Sequence, residues 1–116
     1  MPTNDPALRF NDILENIARL RRYTDDMSET DFITDAKTID ATERCLERIS
    51  EAARKLGDGY DETYPHLALP QLRKFGSILR HDYDTIQPVL LWRFVQDRLD
   101  GLEAMERDEL AKIGED

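Results

Sequence analysis

The segment Leu79-Arg80-His81-Asp82-Tyr83 concentrates the side chains best suited to chemistry in this sequence. Histidine titrates close to neutral pH, so His81 can both take and return a proton under ordinary conditions. Arg80, its neighbour, and Arg73, two helical turns earlier, supply guanidiniums whose fork geometry suits phosphoryl oxygens that gain charge. On a helical wheel at about 100° per residue, Arg73, Ser77, Arg80 and His81 fall within roughly 100° of one another. Leu72, Phe75, Ile78 and Leu79 fall on the other side, the expected core face. Gly76 lies beside the polar group and leaves room for a ligand or a second backbone. Such a grouping can cleave RNA without a metal ion. His81 would take the proton of a ribose 2′-hydroxyl, while Arg80 or Arg73 stabilises the phosphoryl group. Ser77, Arg73, Arg80 and Tyr83 are candidate phosphate ligands, and Asp82 is a candidate supporting carboxylate. Tyr83 can hydrogen-bond a phosphate, stack on a base or carry a modification. A structural reading of the same residues stands beside this one. A histidine near a helix end often only interacts with the helix dipole, and an arginine-rich exposed face is usually solvated. Periodicity does not separate the two.

The elements that position these residues are helices. Asp5-Pro6 is a cap followed by a proline suited to the first helical position. Phe10, Ile13, Leu14, Ile17 and Leu20 then recur three and four apart, predicting a helix over about 6–26. Ser28-Glu29-Thr30-Asp31 resembles a capping arrangement and opens a short helix over about 28–34. Asp35 caps a third, with Ile39, Thr42, Leu46, Ile49, Ala52, Ala53 and Leu56 on its apolar side, ended by Gly57 and Gly59. A loop over 58–69 carries Tyr60, Tyr64, Pro65 and His66. Pro70 opens the fourth helix, which ends near 81–84. Pro88 opens the fifth, which presents Leu91, Val95, Leu99, Leu102 and Met105 before a polar tail over 112–116. No segment alternates with period two. The expected fold is therefore all-α, an up-and-down bundle of about five helices.

The chain has 116 residues, which predicts one domain over 1–116 with short flexible ends near 1–5 and 112–116. Its formal net charge is -9, so any nucleic-acid site must be a local basic patch on an acidic body. The same acidity suits a basic partner protein. Cys45 is the only cysteine, which excludes an intrachain disulfide and a cysteine-based metal cluster. Met1-Pro2-Thr3-Asn4-Asp5 has neither a basic start nor an apolar run, and no apolar stretch is long enough to span a membrane. The expectation is a cytoplasmic protein without a cofactor. Cys45 reads as a small buried hydrophobe, His66 as a surface loop residue, Trp92 as core or interface, and the acidic stretch over 103–116 as a solvated helix end.

The third and fourth helices together resemble the HepT-like proteins of the HEPN superfamily. The third carries Ile49-Ser50-Glu51-Ala52, preceded by Asp40-Ala41 and Arg44-Cys45-Leu46. The fourth ends in His81-Asp82-Tyr83, followed by Asp84-Thr85-Ile86 and then Leu91-Trp92-Arg93-Phe94-Val95. The likeness covers about 9–102, nearly the whole chain. It implies a HEPN-like homodimer whose fourth helices meet to form a shared ribonuclease cleft. It also implies a toxin subunit of a two-gene toxin–antitoxin pair. The partner would be a small MNT-type nucleotidyltransferase antitoxin, which silences such toxins by attaching AMP to the motif tyrosine, here Tyr83. Glu51 would be a supporting carboxylate that orients an arginine of the site.

One departure bears on the chemistry. The family's catalytic arginine usually lies five residues before the histidine, where this chain has Gly76, and the asparagine usual beside it is Ser77. His81 and Tyr83 carry over directly, whereas the arginine role falls to Arg80 or Arg73. The alternative is a catalytically weakened or inactive scaffold that binds a nucleotide or a nucleotidyltransferase at the same cleft.

Overall fold

Local signals set the helix boundaries of the computed structural model, which describes residues 2–82, 84 and 86–114. The helices are α1 (Pro6–Thr24), α2 (Glu29–Ile33), α3 (Ala36–Leu56), α4 (Leu69–His81) and α5 (Pro88–Gly114), with a 3₁₀ turn over Pro65–Leu67. The Asp5 carboxylate accepts the Leu8 amide at 3.2 Å, and Asp35 accepts the Thr38 amide at 3.1 Å. Ser28 and Asp31 form a reciprocal capping box. α3 ends where Gly57 takes φ +84°, a left-handed conformation that favours glycine. The segment before α1 is tied to that end, with the Thr3 amide donating to the Lys55 carbonyl at 2.6 Å.

α1 packs on α3 and α5, α4 packs on α3, and α2 crosses between α3 and α5. The shared interior holds Phe10, Ile13, Ile17 and Leu20 from α1, Leu46 and Ile49 from α3, Leu72 from α4, and Leu91, Leu99 and Leu102 from α5. Full burial of an aliphatic or aromatic side chain of this size is worth about 1.5–3 kcal/mol. Phe32 of α2 closes one end, its ring 5.4 Å from that of Trp92. Among the described residues there is no strand. The bundle is thus all-α, as the periodicity predicts.

Two features differ from the expected pattern. In α4 the buried positions are Leu69, Leu72, Gly76 and Leu79, while Phe75 is half-buried and Ile78 is 42% exposed. The helix is turned so that Gly76 meets α3, where a Cβ at position 76 would lie 2.6 Å from the Ser50 Cβ. Gly76 therefore makes room for the Ser50 side chain of α3. Phe75 is left to stack on Phe94 of α5, with ring centroids 5.9 Å apart. In α5 the stretch expected to be solvated contains Glu106, which is 1% exposed. Its Oε2 has no hydrogen-bond partner among the described residues, and burial raises its pKa to about 8. The carboxyl group lies in a mostly apolar seam with Ile13, Tyr60, Leu72 and Met105, which Arg73 also lines.

Candidate active site and its arginine groove

α4 runs antiparallel to α3, with Arg73 beside the end of α3 and Gly76 against Ser50. Its last turn, carrying Arg80 and His81, consequently lies beside the earlier turns of α3. Both residues are exposed, and the Asp82 amide closes the helix by donating to the Ile78 carbonyl at 2.8 Å. Two basic groups in a final turn suit the negative end of the helix dipole.

The two candidate arginines have different surroundings. Arg73 makes a bidentate pair with Asp61, at 2.8 and 2.7 Å, and approaches the Gly57 carbonyl at 3.5 Å. Its hydrogen bonds hold the Asp61 carboxyl below the usual carboxylate range. This guanidinium clips the loop after α3 and is committed there. Arg80 instead folds back along its own helix. Its Nη1 lies 3.4 Å from the point where a Cβ on Gly76 would sit, and 3.7 Å from Glu51 Oε2. The Arg80 guanidinium thus lies in van der Waals range of position 76, beside the point where Ser50 closes on it.

Glu51 is half-buried and is shared between two arginines. It accepts hydrogen bonds from Arg54 at 2.6 and 3.0 Å in addition to the longer approach of Arg80. The Arg54 contacts are the main reason its carboxyl titrates below the usual range. Ser77 is exposed on α4, as is Asp82 at the end of the helix. Tyr83 lies outside the described residues.

Arg80 and Glu51 belong to a groove of about 500 Å³ between α3 and α4, lined also by Arg44, Glu47, Arg48 and Arg54. Four guanidiniums face two carboxylates there, on a chain whose net charge is -9. The local basic patch that the overall charge required is therefore present. The α3 arginines were absent from the sequence-based candidates. A wheel of α3 would have found them, because Arg44 and Arg48 are one turn apart and share a face with Glu47 and Glu51.

The remaining candidates fall outside this groove. His66 is exposed, with its ring 6.4 Å from that of Tyr64. Cys45 is buried, and burial raises the pKa of its thiol. Among the described residues no group of three or more His, Cys, Asp or Glu converges as a metal site, and no helix is long and apolar enough to cross a membrane.

The all-α bundle and the basic groove beside the end of α4 fit a HEPN-type domain, the class to which the sequence comparisons assign the chain. The family model described as ribonuclease HepT-like matches residues 13–107. The chain belongs to the HepT-like family. It is 31% identical over 112 residues to "Putative RNase MJ0127" of Methanocaldococcus jannaschii, covering 97% of this chain and 92% of that protein. "Putative RNase MJ1380" of the same organism is 31% identical over 97 residues, 84% of this chain and 89% of its own length. "Probable ribonuclease HepT" of Thermococcus cleftensis is 27% identical over 94 residues, covering 81% and 86% of the two chains. No solved structure gives a significant match.

Proposed function

We propose that this chain is a metal-independent endoribonuclease that reacts at the C-terminal end of α4. His81 takes the proton of a ribose 2′-hydroxyl as the 2′-oxygen attacks the adjacent phosphorus. The P–O5′ bond breaks, and His81 returns the proton to the departing 5′-oxygen. The products are a 2′,3′-cyclic phosphate and a 5′-hydroxyl. Arg80 stabilises the charge that builds on the phosphoryl oxygens, and Glu51 holds its guanidinium in position. The observation that carries this reading is the guanidinium of Arg80 lying over Gly76, next in sequence to an exposed His81 and inside the basic groove. The family supports RNA as the substrate. Arg73, clipped to Asp61, serves the fold rather than the phosphate.

Further parts of the reading come from the family resemblance. The chain acts as the toxin of a two-gene pair, is a homodimer, and is silenced by an MNT-type nucleotidyltransferase that attaches AMP to Tyr83. The dimer has support in an apolar face on α4 and α5. There Ile78 and Leu90 are 42% and 50% exposed, beside the half-buried Phe75 and Phe94.

The test uses purified protein, transfer and messenger RNA, and a chelator. Wild type is expected to cleave with cyclic phosphate ends. His81→Ala should lose about 100- to 10,000-fold and Arg80→Gln about 100- to 1,000-fold. Arg73→Gln should lower stability more than turnover. RNA that is bound but never cut by wild type would favour the inactive scaffold, the reading that Gly76 at the usual arginine position suggests.

A further inference from the structure

Most of the groove's charge sits away from α4. Arg44 and Arg48 are both exposed on α3, one turn apart and therefore about 6 Å apart along the helix axis. Arg48 has no carboxylate within ion-pair distance among the described residues, and Arg44 has one contact, to Glu47 at 3.5 Å. Other arginines are held more tightly: Arg9, Arg19, Arg21, Arg73 and Arg107 each pair at 3.2 Å or less. Within the groove, Arg44 and Arg48 are thus the loosely held cations of α3, whereas Arg54 pairs with Glu51 at 2.6 Å. The field they produce reaches the interior, where Arg48, Arg19, Arg22 and Arg44 all oppose the burial that raises the Cys45 thiol pKa. Among the described residues the groove is lined by arginine and glutamate, with no aromatic ring to stack a base and no amide to read one.

We infer that Arg44 and Arg48 form a phosphate track that extends the RNA site from Arg80 and His81 along α3. The track grips the backbone of single-stranded RNA without reading its sequence. A single row of cations on one helix suits one strand, and contacts to phosphate alone carry no base information. RNA is favoured over an acidic protein because the row continues directly into a helix end whose groups act on a phosphodiester. The inference uses the ribonuclease reading only for the identity of the polymer.

The experiment measures binding of a short fluorescent single-stranded RNA by anisotropy between about 50 and 200 mM salt. It compares wild type, Arg44→Gln/Arg48→Gln, and the charge-matched Arg107→Gln/Lys112→Gln, which removes two exposed cations from the far end of α5. The α3 variant should bind about 10- to 100-fold more weakly. Its log–log salt slope should shrink by about 1.4, and the loss should be equal for RNAs of different sequence. The α5 variant should change affinity by less than about threefold. In cleavage assays the α3 variant should raise KM far more than it lowers kcat. Unchanged affinity in the α3 variant, an equal loss in the α5 variant, or poly-glutamate binding as tight as RNA binding would each overturn the track, the last in favour of an acidic protein partner. Wild type that binds RNA but cuts none refutes the ribonuclease reading and leaves the track intact. Wild type that cuts RNA with the same KM as the α3 variant refutes the track alone. Because both α3 side chains are exposed, melting temperatures should match and exclude a folding defect.

Discussion

Gly76 and Arg80 act as a pair. A Cβ at position 76 would press on Ser50 at 2.6 Å, closer than real side chains approach, so α3 and α4 can meet as they do only if that position is bare. The Arg80 guanidinium packs beside this bare position, its Nη1 3.4 Å from where a Cβ would sit. Gly76→Ala is therefore expected to destabilise the chain by about 1–3 kcal/mol, despite alanine's better helix propensity. Chemical denaturation of Gly76→Ala, Ser50→Gly and the double variant checks this. The double variant should recover part of the loss, although a glycine inside α3 itself costs about 1 kcal/mol. At this scale the sequence showed His81, Arg80 and the gap at Gly76, because all three lie in one short segment. It did not show that Arg73 is committed to Asp61, because that contact depends on the path of a loop with no periodicity. Nor did it reveal that Arg44 and Arg48 line the same groove as Arg80, because that juxtaposition needs the packing of α3 against α4.

Among the elements, α1, α2 and α3 begin where their caps predict, because a side chain accepting its own backbone amide is a local event that needs no tertiary information. α4 was legible in extent but not in rotation. Hydrophobicity alone places Ile78 in the core, whereas the close approach at Gly76 turns that side chain outward, and a contact between two helices cannot be read from one of them. The exposed result is specific enough to test. Ile78→Asp/Leu90→Asp should leave helix content intact while shifting the protein from dimer to monomer in analytical ultracentrifugation. If the cleft is shared between two copies, RNA cleavage should fall with the dimer fraction. A variant that remains dimeric would move the interface elsewhere on the surface.

For the whole molecule, the main conflict is a buried carboxyl group with one oxygen lacking a hydrogen-bond partner among the described residues. Burial, with a smaller contribution from Glu109, raises the pKa of Glu106 from 4.5 to about 8. The folded protein thus holds a proton that the unfolded chain releases above about pH 4.5. Stability from this group is full in acid and declines as pH rises through the interval up to about 8. Beyond that the loss is constant, on the order of 5 kcal/mol. Urea unfolding from about pH 5 to about pH 8 should show this decline, and Glu106→Gln should flatten it and raise the midpoint at the alkaline end. A slope that is the same in the variant would assign the pH dependence to other groups. The bundle and its overall acidity were legible in the sequence, as was the need for a localised basic patch. Glu106 was not, because an acidic tail reads as solvent-facing unless the three-and-four spacing from Leu99 and Leu102 is continued through it.

Residues 76 and 80 stand one turn apart on α4, and with position 76 closed against Ser50 the cation beside it is delivered from position 80. A pattern search that demands arginine at a fixed interval before the histidine would discard this chain. A search written in terms of reach, which asks where a guanidinium can arrive rather than where its backbone begins, would keep it along with any relatives in which the charge has moved by a helical turn.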